Sequence, residues 1–170
     1  MPAQAKQCKV GIIMGSDSDM PQVQHTVDVL NNIGIRYCIT VASAHRTPER
    51  VRSFIQQCLK SGAQVFIAAA GGAAHLPGVV AAETVKPVIG IPIQTSVLSG
   101  MDSLLSIVQM PGGIPVATVA IGKGGAKNAG LLAAQIIGTS DSSVRKKLVA
   151  MRNHMKKEVE QKARRIEHNE

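Results

Sequence analysis

The chain has 170 residues, 45% of them hydrophobic, which is enough for one domain with a full core. The apolar residues are mostly Ala, Val, Ile and Leu, with two Phe, one Tyr and no Trp, a composition that requires closely approaching backbone and suits a parallel sheet covered by helices. The formal charge is +8, but residues 141–170 alone hold nine Lys or Arg against five Asp or Glu, and no basic run is interleaved with aromatics that could stack bases; nucleic acid is excluded as the expected partner and a small anion favoured.

The amino terminus has no hydrophobic signal, and no run of about 18 apolar residues follows, so a soluble, cytoplasmic protein without a membrane partner is expected. Lys9 to Met14 reads as a first buried strand. The turn Gly15-Ser16-Asp17-Ser18-Asp19 leads to a helix opened by Pro21 and running to about Asn32. Asp19 is placed like an N-cap with Gln22 as its capping-box partner, and the hydroxyls and carboxylates of this turn can also face a ligand.

Arg36 to Val41 reads as a second buried strand, followed by Ser43-Ala44-His45-Arg46-Thr47-Pro48. Thr47 is placed to N-cap a helix with Pro48 at its first position and Glu49 in its first turn. His45 and Arg46 then lie just before a helix N-terminus, whose free amides favour an anion. That helix should end near Ser61, with Gly62 as a left-handed cap.

Val65 to Ala69 makes a third strand, and the next nine residues, Ala70 to Gly78, are nearly all Gly, Ala or Pro apart from His75 and Leu76. So little side chain lets a ligand approach the backbone amides, although the pattern is not G-x-G-x-x-G. Pro87 to Pro92 is a fourth strand, Ser99 to Gln109 a short apolar helix, and Val116 to Ala120 a fifth strand. Gly122-Lys123-Gly124-Gly125 lacks the Ser or Thr of a P-loop and reads as a turn into a helix from Ala126 to Gly138.

A last helix, about 141–166 and capped by Ser140 or Asp141, carries Val144, Leu148, Met151, Met155, Val159, Ala163 and Ile166 at steps of three and four. The seam is longer than one small sheet can cover, so a homo-oligomer is expected, with fraying into a basic tail beyond about Lys162. Cys8, Cys38 and Cys58 are odd in number and lack a C-x-x-C pair; neither a disulfide framework nor a zinc site is expected, and Cys38 and Cys58 read as inert core residues.

Five strands alternating with helices predict a single α/β domain over 1–170, with a core of about 9–138: a three-layer, doubly wound, five-stranded parallel sheet of flavodoxin-like type. The turns after strands one, two and three all emerge at the carboxyl edge, where such sheets keep their ligands.

The turn Gly15 to Asp19, the stretch Ser43 to Pro48, the loop Ala70 to Gly78 and the segment Gly100-Met101-Asp102-Ser103-Leu104-Leu105-Ser106-Ile107-Val108-Gln109-Met110-Pro111, in this order, resemble the N5-carboxyaminoimidazole ribonucleotide mutases, the microbial mutase class of the AIR carboxylase family. The likeness runs from about residue 9 to 138. Met20 departs from it, standing where many relatives carry Trp. The resemblance implies moving a carboxylate from an exocyclic nitrogen to ring carbon 4 of an imidazole ribonucleotide, with no metal and no cofactor. It implies that Ser16, Ser43 and Arg46 hold the phosphate, that Asp19 holds the ribose hydroxyls, and that His45 is the general acid and base. Ser18 and Ala44 would complete the substrate-binding turns, and Gly71, Gly72, Ala73, Ala74 and His75 would surround the migrating carboxylate. It further implies a homo-octamer.

Two other readings compete. One is a direct carboxylase that takes carbon dioxide at the same site. The other is a non-catalytic nucleotide-binding or receiver-like module. A receiver needs an Asp at the end of strand three, where this chain has Ala-Ala-Gly-Gly, although Lys123 does follow strand five.

Overall fold

A computed structural model describes residues 7–167. Strands β1 (Val10–Met14), β2 (Tyr37–Val41), β3 (Val65–Ala70), β4 (Val88–Pro92) and β5 (Ala117–Thr118) form one parallel sheet in the order β2-β1-β3-β4-β5. Between and after them lie α1 (Met20–Ile33), α2 (Pro48–Lys60), α3 (Leu76–Ala82), α4 (Met101–Val108), α5 (Gly122–Gly138) and α6 (Ser142–Glu167). This is the expected doubly wound parallel sheet, and the order reverses beside β1, placing a crevice over the carboxyl ends of β1, β2 and β3.

Alternation along each strand divides the core in two. Val10, Ile12 and Met14 of β1, with Ile67 and Ile89, pack against α1 and α5, whereas Ile13, Phe66 and Ala68 face α2 and α3. Helix α5 can lie close to α1 because its inner face is Ala126, Ala129, Gly130, Ala133 and Ala134, and the buried Thr26 hydroxyl donates to the Ala126 carbonyl at 2.6 Å. The small-residue composition is therefore used where two helix backbones approach.

Four expectations need correction. Strand β2 is not buried: it is the sheet edge, and Ile39 and Val41 are exposed on it. β5 shortens to Ala117–Thr118, since as the other edge it pairs only with Ile89 and Gly90 of β4. The Gly122 to Gly125 stretch is not a turn but the first turn of α5. Gly125 permits this, because a Cβ there would lie 1.5 Å from the Ala120 carbonyl oxygen, so only glycine lets the helix start against that strand end. The last helix continues through Lys162 to Glu167 without fraying in the described residues.

Helix α6 is seated at its beginning only. Asp141 caps it by accepting from the Ser143 and Val144 amides, Val144 is buried, and the Lys147 ammonium donates to the Ile33 carbonyl at the end of α1. Met155, Val159 and Ile166, farther along the same seam, are exposed.

The cysteines, distant in sequence, meet at the amino edge of the sheet. Cys8 and Cys58 are buried and Cys38 is half-buried, as core residues should be, but their sulfur atoms all lie within 4.8 Å of one another. Hydrogen bonding from Cys58 holds the Cys8 thiol below its ordinary range; burial pushes Cys38 up, and the bond to Cys8 pushes Cys58 up.

Candidate active site

The turn after β1 is built around Ser16. Its backbone is extended (φ −146°, ψ 154°), the N-cap conformation, and its Oγ accepts from the Ser18 amide at 3.3 Å while Asp19 Oδ2 accepts from the Ser16 amide at 3.1 Å. Ser16 therefore caps a short 3₁₀ turn, Asp17–Asp19, and Asp19 is the returning arm of its capping box. Asp19 does stand at the N-cap position of α1, as expected, but the capping box with Gln22 does not form: Asp19 has helical dihedrals (φ −81°, ψ −16°) and makes no side-chain cap bond there, and Gln22 leaves its Oε1 buried without a partner. With Asp19 only 7% exposed, desolvation raises its carboxyl above the ordinary carboxylate range, opposed by the Ser16 amide and the Ser18 hydrogen bond.

The turn after β2 is closed by its own side chains. Thr47 is the N-cap residue of α2 as expected, but its side chain makes no capping bond: its Oγ1 accepts from the Ser43 amide at 2.9 Å and donates to the Ser43 carbonyl at 3.2 Å, so the hydroxyl is consumed in holding the turn. Ser43 Oγ in turn accepts from the Arg46 amide at 3.2 Å and from Arg46 Nε at 3.4 Å, which aims the guanidinium back over the turn. Arg50 ties the start of α2 to the end of β2 by donating from Nε to the Val41 carbonyl at 2.9 Å.

The Gly-Ala loop after β3 brings His75 to His45. Their rings are nearly perpendicular, at 82°, with centroids 4.9 Å apart, and His45 Nε2 lies 2.7 Å from His75 Nδ1. One ring must donate and the other accept, so the pair shares a proton between two exposed imidazoles. The loop is held from beneath by Ser103, which is fully buried in α4: the Gly72 amide donates to Ser103 Oγ at 3.0 Å, and that hydroxyl donates to the Ile93 carbonyl at 2.8 Å. Gly72 adopts φ +64° to present its amide this way.

One cleft of about 230 Å³ is lined by residues of all three turns: Ser16 and Asp19 from the first, Ser43, Ala44, His45 and Arg46 from the second, Gly71, Ala74 and His75 from the third. Of the expected substrate-binding residues, Ser18, Gly72 and Ala73 fall outside its lining. Ser18 supports Ser16 through a 2.8 Å hydroxyl bond, Gly72 faces Ser103, and Ala73 is exposed beside them. Sequence reading missed Leu76 in the lining and the role of Ser103, whose contact with Gly72 spans 31 positions and leaves no local pattern.

A larger cleft of about 820 Å³ lies elsewhere, between residues 81–87 and 113–115. Its charged groups are Glu83, engaged with Arg52 at 3.0 Å, and Lys86; the Thr84 hydroxyl between them accepts from the Lys86 amide at 3.1 Å, and the lining contains no imidazole. Hydroxyls, a guanidinium and two imidazoles converge at the smaller cleft instead.

Comparison with known proteins agrees with this architecture. The AIR carboxylase family profile matches residues 9–158. The chain is 54% identical over 159 residues to the N5-carboxyaminoimidazole ribonucleotide mutase of Thermotoga maritima, covering 94% of this chain and 92% of that one. It is 54% identical over 150 residues to the enzyme of the same name from Bacillus subtilis, covering 88% and 93%. Among solved structures, PurE of Treponema denticola superposes with a TM-score of 0.80 at 32% identity, covering 91% of this chain and 96% of that one.

Proposed function

The chain belongs to the AIR carboxylase family, and from that premise we propose that it is an isomerase of de novo purine biosynthesis that converts N5-carboxyaminoimidazole ribonucleotide to 4-carboxy-5-aminoimidazole ribonucleotide. The observation that carries the reading is the His45–His75 pair at 2.7 Å over a cleft walled by Gly71 and Ala74 and flanked by Ser16, Ser43 and Arg46.

The reaction needs one proton in and one proton out. The carbamate C–N bond breaks as His45 gives a proton to the exocyclic nitrogen, releasing an amine and carbon dioxide. Carbon 4 then attacks the trapped carbon dioxide to form the new C–C bond, and His45 takes the proton that carbon 4 loses. Imidazole suits both steps because it titrates near neutrality. His75, against His45 Nε2, orients the ring and faces the migrating carboxylate. The small walls of the loop keep the gas at high effective concentration and exclude water. Arg46 and the Ser16 and Ser43 hydroxyls bind the phosphate and Asp19 the ribose hydroxyls, a division supported by the charge and donors of each turn. The residues account for both proton steps without a metal or cofactor.

The cleft of one chain is smaller than the roughly 300–1,000 Å³ usual for ligand sites, which supports completion by a neighbouring subunit; the exposed seam of α6 is a surface for such a contact, and the family resemblance makes the assembly a homo-octamer. A cytoplasmic location fits a ribonucleotide substrate; among the described residues no helix is long and apolar enough to cross a membrane.

Purified protein given the carbamate isomer, or aminoimidazole ribonucleotide with bicarbonate, decides between mutase and direct carboxylase: consumption of the first alone is expected. His45→Asn should lower kcat by about 10² to 10⁴ with the fold intact. A near wild-type rate in that variant overturns the acid and base assignment.

A further inference from the structure

We propose that Cys8, Cys38 and Cys58, at the amino edge of the sheet, form a trigonal thiolate site for a soft d10 metal ion of the zinc, cadmium and cuprous copper class. All three cysteines of the chain meet there, from the segment before β1, from β2 and from α2. Their sulfur atoms lie within 4.8 Å of one another. A metal–sulfur bond of about 2.3 Å places the sulfurs of a trigonal site about 4 Å apart, so they need move less than ~1 Å to close on an ion. Thiolate selects soft cations over magnesium or calcium.

The surroundings fit such an ion. Gly11 of β1 has no side chain, which makes room for the Phe66 ring, 2.6 Å from where a Cβ would lie, and lets Cys58 Sγ sit beside it under the strand at 3.2 Å. Cys38, the half-buried member, also lines an open cleft with Gln7, Arg36 and Tyr37, giving an ion a way in. Binding releases one proton from each of the three thiols to solvent, and the hydrogen bond that Cys8 Sγ donates to the Val10 carbonyl at 3.1 Å is replaced by the metal bond. A divalent ion then leaves one net negative charge. The Arg36 guanidinium, which donates to Gln7 at 2.9 Å in the same cleft, supplies a cation against it. The reacting cleft is at the opposite edge of the sheet, so the ion would join β1, β2 and α2 without entering the carboxylate transfer.

The test is titration of the reduced, full-length protein with cadmium chloride, reading the near-ultraviolet thiolate-to-cadmium charge-transfer band. A band that saturates at one cadmium per chain, with a rise in unfolding temperature, is expected. Cys38→Ser, on the exposed edge strand, should weaken binding at least tenfold and cut the band by about a third while carboxylate transfer stays at the wild-type rate. His45→Asn should leave the band unchanged. Should Cys38→Ser fail to fold, the wild-type protein still decides the matter, since bound cadmium must slow alkylation of Cys38 by iodoacetamide. No band, a band indifferent to Cys38→Ser, a band lost in His45→Asn, or an unchanged alkylation rate at saturating cadmium each overturns the site.

Discussion

At the scale of the residue, the site depends on side chains that satisfy the backbone of their own turns and still face the cleft. Ser16, Asp19 and Ser43 all do this, and Asp19 bears an electrostatic cost for it. Burial raises its carboxyl in the folded chain, so ionisation is harder folded than unfolded. The contribution to stability is then fully present below the ordinary value of 3.8 and is lost as pH rises through the raised folded value. Asp19→Asn keeps an oxygen to accept from the Ser16 amide but cannot ionise. Thermal unfolding followed from pH 3 upward should therefore show a variant whose stability, relative to wild type, improves across that window; a constant difference would mean Asp19 is not desolvated as described.

At the scale of the element, the start of α5 shows backbone proximity overriding propensity. Three glycines in four residues make Gly122 to Gly125 a poor helix by intrinsic preference, yet it is the first turn of α5 because the chain there packs on Ala120 with no room for a Cβ. Gly125→Ala, conservative in an ordinary helix and favourable by propensity, should instead destabilise by at least ~1–3 kcal/mol through overpacking against a carbonyl that cannot move away. Chemical denaturation measures this directly, and a neutral or stabilising result would mean that α5 starts later. The opposite case is α1, where Pro21 and the Asp19 cap position made the start of the element plain, and only the side-chain capping bond expected of Asp19 is absent.

At the scale of the whole molecule, several apolar surfaces of the described residues have no partner within one chain, among them the outer seam of α6, with Val159 66% and Ile166 79% exposed, the edge strand β2, with Ile39 and Val41, and the stretch into α4, with Val97, Leu98, Met101 and Leu105. Apolar area left to water at these positions favours association, at roughly 25 cal/mol per Å² removed from solvent. Truncation after Thr139 should lower the mass measured by light scattering and reduce turnover with it. An unchanged oligomer would mean that α6 has no part in assembly.

The sequence by itself determined the strand and helix order, the parallel sheet, and the three turns that meet at one cleft with Ser43, His45 and Arg46 in its lining, because hydrophobic period, proline and glycine punctuation and hydroxyl-rich turns are local signals. What it could not contain was anything decided by which elements become neighbours. The edge position of β2, the meeting of His75 with His45, the buried Ser103 beneath Gly72, and the gathering of Cys8, Cys38 and Cys58 each join residues that are 30 or more positions apart or depend on strand order. Those contacts arise when the two cores close over the sheet, and the tertiary structure alone sets them, since a side chain's partner across a sheet or between layers leaves no trace in its own sequence neighbourhood.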